Sequence, residues 1–183
     1  ARAAAKGIDT VIVTTDKDLL QVIDDRTSVW NPSKETLIDQ GKVAPFFGVP
    51  AGQVVDVLAL WGDPSDNVPG VPGIGEKTAK ALIREFGSLD NLLKDRDKIK
   101  NPRVRDKMTN TENLELVELS RRLVTVRPDL PVELDLDRYA IHEPDEKDTI
   151  RLFGELEFSS ILADFLKPAR PAGRDYRTIF EEA

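Results

Sequence analysis

The sequence predicts an α/β fold in which the end of a parallel-sheet layer is followed by a helical region. A short β-branched run at residues 10–14 is typical of a buried strand, and residues 27–30 predict a second short strand. A helical pattern at residues 16–23 separates them, and a strand–helix–strand order favours parallel pairing. From residue 76 onward most apolar residues recur at helical spacing, which predicts the helical second part.

In the first part, glycines mark the ends of the predicted helices, because glycine readily adopts the left-handed conformation that stops a helix. The helical pattern at residues 2–6 stops at Gly7, and a turn at residues 31–33 follows the second strand. The other two helices of this part are predicted at residues 39–47 and 52–61, ending at Gly48 and Gly62.

In the second part, an apolar stripe predicts a helix at residues 76–86, which Gly87 ends. Ser88 is suited to cap the helix that follows, at residues 88–93. Residues 94–107 are polar and basic, which indicates a surface loop or helix end. The remaining predicted elements are helices at 111–124, 145–153 and 158–166, an edge strand at 132–136, and a proline-containing linker from 167 on.

The composition fits a soluble globular protein and excludes some classes of site. Charged residues make up 32% and hydrophobic residues 40% of the 183 residues. No apolar run reaches the ~20 residues of a membrane span. Because the sequence contains no cysteine, disulfides and a thiolate zinc site are excluded, and an intracellular location is expected.

Charge is distributed unevenly along the chain, whose net charge is −7. Residues 1–66 carry a net charge of −4, residues 67–107 of +4, and residues 108–183 of −7. The net-basic middle segment is therefore the place where phosphate groups are expected. A basic helix face is also common on proteins that bind no nucleic acid, so charge alone leaves this open.

One stretch, residues 61–80, combines two kinds of ligand group. Asp63 and Asp66 are three positions apart, so both carboxylates can point to the same side of one turn and share a divalent cation. A turn rich in proline and glycine follows and leads into a helix, where free backbone N–H groups can bind phosphate. Carboxylates beside a phosphate-binding turn suggest binding or hydrolysis of phosphodiesters.

Three interpretations compete for this stretch. The first is an ordinary loop with solvated aspartates. The second, a nucleotide-binding loop, fails on spacing, because Glu76 separates Gly75 from Lys77 and no third glycine completes a dinucleotide motif. The third is a helix-hairpin-helix that presents backbone N–H groups to a DNA strand. Its DNA-binding residues would be Gly70, Val71, Gly73, Ile74, Gly75, Lys77, Thr78 and Lys80.

Residues 62–79 resemble the signature of the 5′ nuclease family, and the resemblance includes residues 13–21 and covers roughly residues 7–167. It is strongest to the 5′–3′ exonuclease domains of bacterial polymerases of the DNA polymerase I type. It implies a PIN-like parallel sheet and metal-dependent hydrolysis of DNA at 5′ ends and flaps, in replication and repair. The implied ligands of two Mg²⁺ or Mn²⁺ ions are Asp16, Asp18, Asp63 and Asp66, and the hairpin carbonyls would hold K⁺.

The resemblance also implies a set of partners and a division of the chain. Flaps and nicked or branched duplexes would be the DNA partners, with polymerase domains in the same parent chain, no stable oligomer, and a bacterial cytoplasmic location near the nucleoid. Residues 1–66 would complete the nuclease layer, 67–166 would form the helical DNA-binding region, and 167–183 would be the linker.

The family's further carboxylates precede the counterpart of this sequence, so the chain is expected to bind DNA better than it cuts it. The alternative is a DNA-structure-binding module without catalysis. A more distant possibility is a relative that acts on RNA primers.

Four carboxylates in one pocket would repel each other, which raises the pKa of some of them in the metal-free protein. On this reasoning Asp63→Asn is expected to raise the stability of the metal-free protein and to reduce its stabilisation by Mg²⁺ or Mn²⁺.

Overall fold

The computed structural model describes Ala3 and residues 6–166. By packing they fall into two compact units, the first ending at Leu134 and the second beginning at Asp135. This division by packing differs from the functional division predicted at residues 66 and 167, which stays a prediction. The predicted linker lies outside the described residues, as does most of the helix predicted at residues 2–6.

A three-stranded sheet opens the first unit, with strands β1 (Thr10–Val13), β2 (Thr27–Asn31) and β3 (Thr36–Ile38) in that spatial order. The first two strands pair in parallel, with Ile12 opposite Val29, as the sequence predicted. The third strand pairs antiparallel to the second and was not predicted. The hairpin between them turns through Glu35, a non-glycine residue with a positive φ of 47°, so the usual glycine signal of a tight turn is missing.

A 3₁₀ helix, Lys17–Val22, connects the two parallel strands where an α-helix was predicted. It begins directly beyond the carboxyl end of β1. Asp16 caps it by accepting a hydrogen bond of 2.9 Å from the backbone N–H of Asp18. Leu20 is buried beneath it, so the short helix is fixed to the core, while the capping residue Asp16 is exposed and Asp18 is half-buried.

Six α-helices follow the sheet in the described part of the first unit. Most keep their predicted positions to within two residues. Where a surface loop or helix end was expected at residues 94–107, a separate helix forms, with Asn101 as its cap and Pro102 as its first residue. The helices are α1 (Gln40–Phe47), α2 (Val54–Trp61), α3 (Glu76–Phe86), α4 (Leu89–Lys94), α5 (Pro102–Thr109) and α6 (Thr111–Val124).

Helix α2 is the centre of the core, because nearly all its side chains are buried. It packs against α6, α3 and the 3₁₀ helix. Among the described residues no single helix is long and apolar enough to span a membrane. The pair formed by Gln40–Phe47 and Ala51–Trp61 passes that test on length and composition only, with a bend of 50° between its members.

A polar clamp joins the two ends of the first unit. The side-chain amide of Gln21 donates to the carbonyl of Val124 at 2.8 Å, and its oxygen accepts from the N–H of Val126 at 3.0 Å. The clamp ties the 3₁₀ helix after β1 to the end of α6.

The described part of the second unit contains two helices, α7 (Glu146–Glu155) and α8 (Ser159–Phe165), at the predicted positions. The edge strand predicted at residues 132–136 is wrong, since those residues form no strand in the structure. Alternating side chains alone do not make a strand, because a strand also needs a neighbour to accept and donate its backbone hydrogen bonds.

Candidate functional site

The loop at residues 62–70, called the acidic loop below, leaves the end of α2 and returns to it. Gly62 ends the helix with φ 76°, and a two-residue antiparallel bridge closes the loop. In this bridge the N–H of Asp63 donates to the carbonyl of Val68 at 3.0 Å, and the reverse bond is 2.8 Å long. The backbone that carries Asp63 is therefore fixed by the loop itself.

Asp63 is buried, and its carboxylate is fully engaged. It accepts hydrogen bonds from the N–H and the hydroxyl of Ser65, at 3.1 and 2.6 Å. It also forms an ion pair with the ammonium group of Lys17. Burial acts to raise the pKa of Asp63, but the hydrogen bonds from Lys17 and Ser65 outweigh it, so the pKa lies below its usual value.

The ion pair also connects the two acidic stretches, because Lys17 lies between Asp16 and Asp18 in the sequence. The two acidic stretches, predicted to meet from sequence, thus come together in the structure through Lys17. Sequence reasoning missed this lysine as a partner of the acidic loop. Its only signal was its place between two aspartates, which alone is common surface chemistry.

Asp18 has an environment opposite to that of Asp63. One of its carboxylate oxygens, Oδ1, is buried without a hydrogen-bond partner among the described residues. Burial, followed by repulsion from Asp16 and smaller effects of Asp63 and Asp66, raises the pKa of Asp18 to about 6, while Lys17 opposes the rise. Repulsion between carboxylates, expected from the sequence, contributes to this raised pKa, but burial is the larger cause.

The donor set fits a divalent cation in part. The buried, unpaired oxygen of Asp18 is a hard ligand of the kind that Mg²⁺ and Mn²⁺ prefer. Within the residues that the structure describes, however, no three acidic or histidine side chains are arranged to hold one ion. The ammonium of Lys17 neutralises the carboxylate of Asp63, while Asp16 and Asp66 are exposed. The described residues therefore offer one side of a metal site rather than a complete cage.

The expectation for Asp63→Asn is corrected by this geometry. The repulsion that raises a pKa is concentrated at Asp18, whereas the charge of Asp63 is stabilised by Lys17 and Ser65. Removing the Asp63 charge is therefore expected to lower the stability of the metal-free protein, not to raise it.

Three of the predicted DNA-binding residues use their N–H groups inside the protein. Gly70 donates to the hydroxyl of Ser120 at 2.9 Å, Val71 to the carbonyl of Leu60 at 2.8 Å, and Ile74 to the carbonyl of Val71 at 2.9 Å. The side chains of Val71 and Ile74 are also buried. The prediction that these three amides are donors to DNA is corrected: they fix the turn.

The other residues predicted to contact DNA, in the hairpin at residues 70–75 and the helix start after it, lie at the surface. Gly73 is exposed and has φ 75°, and Gly75 caps α3. Lys77 and Thr78 follow in the first turn of α3. In the described part of the chain, the N–H groups of these four residues donate to no other protein group. They form a row of available donors at the positive end of a helix, which suits a phosphate.

Two lysines beside this row are already engaged. The ammonium of Lys80 pairs with Glu76 and lies 4.4 Å from the centre of the Phe47 ring, so Lys80 is more than a solvated side chain. Lys107, in α5, donates to the carbonyl of Pro72, and a side chain at Gly73 would collide with its ammonium group. Lys107 thus brings a positive charge to the hairpin from a distant part of the basic segment.

A cavity of about 340 Å³ separates the carboxylate side of the site from α3. Three lysines in its lining each lie over an aromatic ring: Lys17 over Trp61 at 5.6 Å, Lys34 over Phe46 at 4.3 Å and Lys80 over Phe47. The lining also includes Asp16 and Glu76. Carboxylates, a cavity with lysines and the row of amide donors thus lie on one unit.

Comparison with known proteins places this geometry among nucleases. Residues 49–147 match the family described as 5′–3′ exonuclease, C-terminal SAM fold. The chain is 44% identical over 164 residues to a thermostable DNA polymerase I of Thermus thermophilus. The matched region covers 90% of this chain and 19% of the relative. It is 37% identical over 174 residues to a DNA polymerase I of Bacillus caldotenax, with 92% of this chain and 20% of the relative covered. The chain thus spans about a fifth of these relatives.

Solved structures share the fold at lower identity. A 5′-exonuclease of bacteriophage T5 with bound zinc aligns with a TM-score of 0.57 and 24% identity, covering 63% of this chain and 42% of that one. A T5 flap endonuclease in a complex with DNA and metal ions aligns with a TM-score of 0.56 and 23% identity, covering 90% of this chain and 54% of that one. These likenesses confirm the predicted α/β nuclease fold with its helical region.

Proposed function

Because this chain belongs to the family of 5′–3′ exonucleases, we propose that it is the C-terminal portion of the nuclease domain of a DNA polymerase I. It binds the phosphodiester backbone of DNA through the hairpin and supplies part of a divalent-metal site. The parent activity is metal-dependent hydrolysis of DNA at 5′ ends and flaps, in replication and repair. A bacterial cytoplasmic location, near the nucleoid, belongs to the same proposal.

The observation that carries the proposal is the continuity of residues 62–78. One segment holds Asp63 and Asp66 in a closed loop and then presents free N–H groups at the start of α3. The unpaired oxygen of Asp18 lies within electrostatic reach of that loop. A DNA strand held by the amides would therefore run close to the carboxylates.

The metal part of the proposal assigns Asp16, Asp18, Asp63 and Asp66 to Mg²⁺ or Mn²⁺. Such ions would supply an activated water and stabilise the leaving oxygen of the phosphodiester. In this chain Asp18 provides an open carboxylate oxygen, and Lys17 would have to leave Asp63 for that carboxylate to bind an ion. K⁺ at the hairpin carbonyls belongs to the same proposal, although one of them, on Pro72, accepts from Lys107.

The competing function is a DNA-binding module without catalysis, and one observation favours it: no three acidic or histidine ligands converge among the described residues. A labelled 5′-flap duplex separates the two functions. The proposal expects binding by this chain without the metal, and Mg²⁺-dependent cutting by any longer natural form of it. Binding without cutting by that longer form would favour the module. A matched flap with an RNA 5′ segment tests whether RNA primers are also substrates.

Salt dependence provides the first quantitative prediction. About 2–4 phosphate contacts by the hairpin and the basic segment should give a slope of log K against log[salt] of about −2 to −4 for duplex DNA. The slope is measured by fluorescence anisotropy with two duplexes of unrelated sequence, which should agree because phosphate contacts carry no sequence information. A flat salt dependence would contradict an electrostatic contact surface on this chain.

Gly73→Ala tests the hairpin itself. The substitution strains the backbone of the exposed N–H row, because it places a methyl group at a left-handed position, and it makes the flexible end of Lys107 move off the hairpin. DNA affinity should fall by about 1–3 kcal/mol, as when aligned donors lose their acceptors. The measurement is a DNA titration by anisotropy, with circular dichroism to confirm unchanged helix content.

Gly87→Ala is the matched control for this change. Gly87 has a similar positive φ of 82°, but its nearest other atom is 3.8 Å away and it lies at the opposite end of α3. It carries the same backbone strain without touching the hairpin, so DNA affinity should stay as in the wild type. Equal losses of affinity in both variants would mean that the hairpin is only a connector.

A further inference from the structure

We propose that Ser120, in α6, is a positioning residue that anchors the acidic loop and the DNA-binding hairpin at their common junction. The inference rests on the proposed function and extends it to a residue that touches neither DNA nor metal. Its hydroxyl oxygen accepts the N–H of Gly70 at 2.9 Å, and the whole residue is buried.

The junction is where two glycine backbones cross. A methyl group on Gly70 would lie 2.5 Å from the backbone N of Gly62, and one on Gly62 would lie 2.6 Å from the carbonyl oxygen of Val68. Both residues have positive φ. No side chain fits between them, so the crossing is held by backbone contacts and by the bond from Gly70 to α6.

Two functional segments leave this crossing in opposite directions. Towards the N-terminus from Gly70 lies the acidic loop with Asp63, and towards the C-terminus lies the turn that carries Gly73 into α3. Val71, next to the crossing, is bonded back to Leu60 in α2. A shift of Gly70 would therefore move the carboxylates and the amide row together.

Gly70 needs this acceptor because it is buried, and a buried N–H without a partner is unfavourable. Ser120 lies on the helix that packs most extensively against α2, so the acceptor is held by an element of the core. Ser120→Ala replaces the hydroxyl by hydrogen, which removes the acceptor and leaves a void of about one atom at this buried position.

The test uses Ser120→Ala in the full 183-residue chain, with Ser120→Cys as a second variant of similar size whose sulfur is a weaker acceptor. Hydrogen exchange of the Gly70 amide, followed by NMR at a temperature where all variants are folded, is the direct signature. Exchange should speed up by about tenfold or more in Ser120→Ala and less in Ser120→Cys, since the lost bond is worth about one factor of ten.

Two functional readouts should move with it. Affinity for a 5′-flap duplex should fall by about three- to tenfold, and the rise in melting temperature on adding Mn²⁺ should shrink, because the amide row and the carboxylates share the anchor. Ser88→Ala is the control. It removes the serine that caps α4 through a 3.2 Å bond to Asn91, away from the junction. It should lower stability while leaving Gly70 exchange, DNA affinity and the Mn²⁺ response unchanged.

The outcomes separate the two proposals. Unchanged Gly70 exchange in Ser120→Ala, or changed exchange with DNA affinity and Mn²⁺ response both as in the wild type, would overturn the anchor. Loss of DNA affinity in Ser88→Ala to the same extent as in Ser120→Ala would overturn it too. If the wild-type chain binds no DNA, the proposed function fails, and faster Gly70 exchange with a smaller Mn²⁺ response still supports the anchor.

Discussion

Gly70→Ala is expected to destabilise the first unit by roughly 3–5 kcal/mol, the largest effect of any single methyl group discussed for this chain. The added carbon would lie 2.5 Å from the backbone N of Gly62 and 2.6 Å from the carbonyl carbon of Trp61, and neither backbone can move without disturbing α2. The left-handed φ of 59° adds strain for any residue with a side chain. Urea unfolding followed by the fluorescence of Trp30 and Trp61 measures the loss.

Gly87→Ala separates the effect of atomic overlap at Gly70 from the effect of a positive φ. That position has φ 82° but no atom within 3.4 Å of the added carbon, so only strain of about 1–2 kcal/mol is expected. The difference between the two variants therefore reports the crossing of the two glycine backbones. If the two substitutions cost the same, the close crossing of Gly62 and Gly70 is not a real constraint on the fold.

Asp18→Asn and Asp63→Asn are expected to change the stability of the metal-free protein in opposite directions. At pH 7 Asp18 is ionised at a cost, so its replacement should stabilise the protein by about 1 kcal/mol, after allowance for solvent screening of this half-buried group. Asp63 is ionised with a benefit from Lys17, so its replacement should destabilise by about 1–3 kcal/mol. Urea unfolding at pH 7 without metal tests the sign of both changes.

The pH dependence follows from the same two residues. The pKa of Asp18 is raised to about 6 in the folded chain, so the stability from its protonated form is present below about pH 4 and is lost as pH rises to about 6. The pKa of Asp63 is lowered, so its stabilisation is present above about pH 4 and is lost as pH falls through its folded pKa. Between pH 4 and 7 the gain from Asp18→Asn should therefore grow as pH rises.

Added Mn²⁺ provides the control for the metal assignment. It should stabilise the wild type by mass action and should have less effect on either asparagine variant. Equal Mn²⁺ responses in all three proteins would remove Asp18 and Asp63 from the proposed metal site, whatever their effects on the metal-free stability.

Much of the helical architecture could be predicted because its signals are local. Gly48, Gly62 and Gly87 end helices where they were expected to, and each does so with a positive φ. The structure departs from prediction where the signal is not local. The strand Thr36–Ile38 was missed because Glu35 makes a turn that usually needs glycine, and the helix Pro102–Thr109 was missed because its surface is mostly polar and basic. Its start at Asn101 and Pro102 was nevertheless readable as a cap.

The site could be predicted as a set of residue types but not as a geometry. The aspartates were recognisable by spacing and resemblance, and the meeting of their two stretches is a tertiary fact that no local pattern contains. Asp63 is stabilised as an ion by Lys17, whose side chain reaches it across 46 positions of sequence, whereas the pKa of Asp18 is raised chiefly by burial. The partner of Gly70 lies 50 positions away in α6, so Ser120 gave no signal at all.

The polar clamp of Gln21 also limits when the first unit can complete its fold during synthesis. Val124 lies 103 residues after Gln21, so the first unit cannot close until nearly all of its chain has been made. Until then the buried face of α2 lacks α6, the helix that covers it, and this exposes the nascent chain to misassembly. Because this contact closes so long a loop, we expect the unit to close more slowly than its individual helices form. We therefore expect the first unit to complete its folding only after Val126 has emerged from the ribosome.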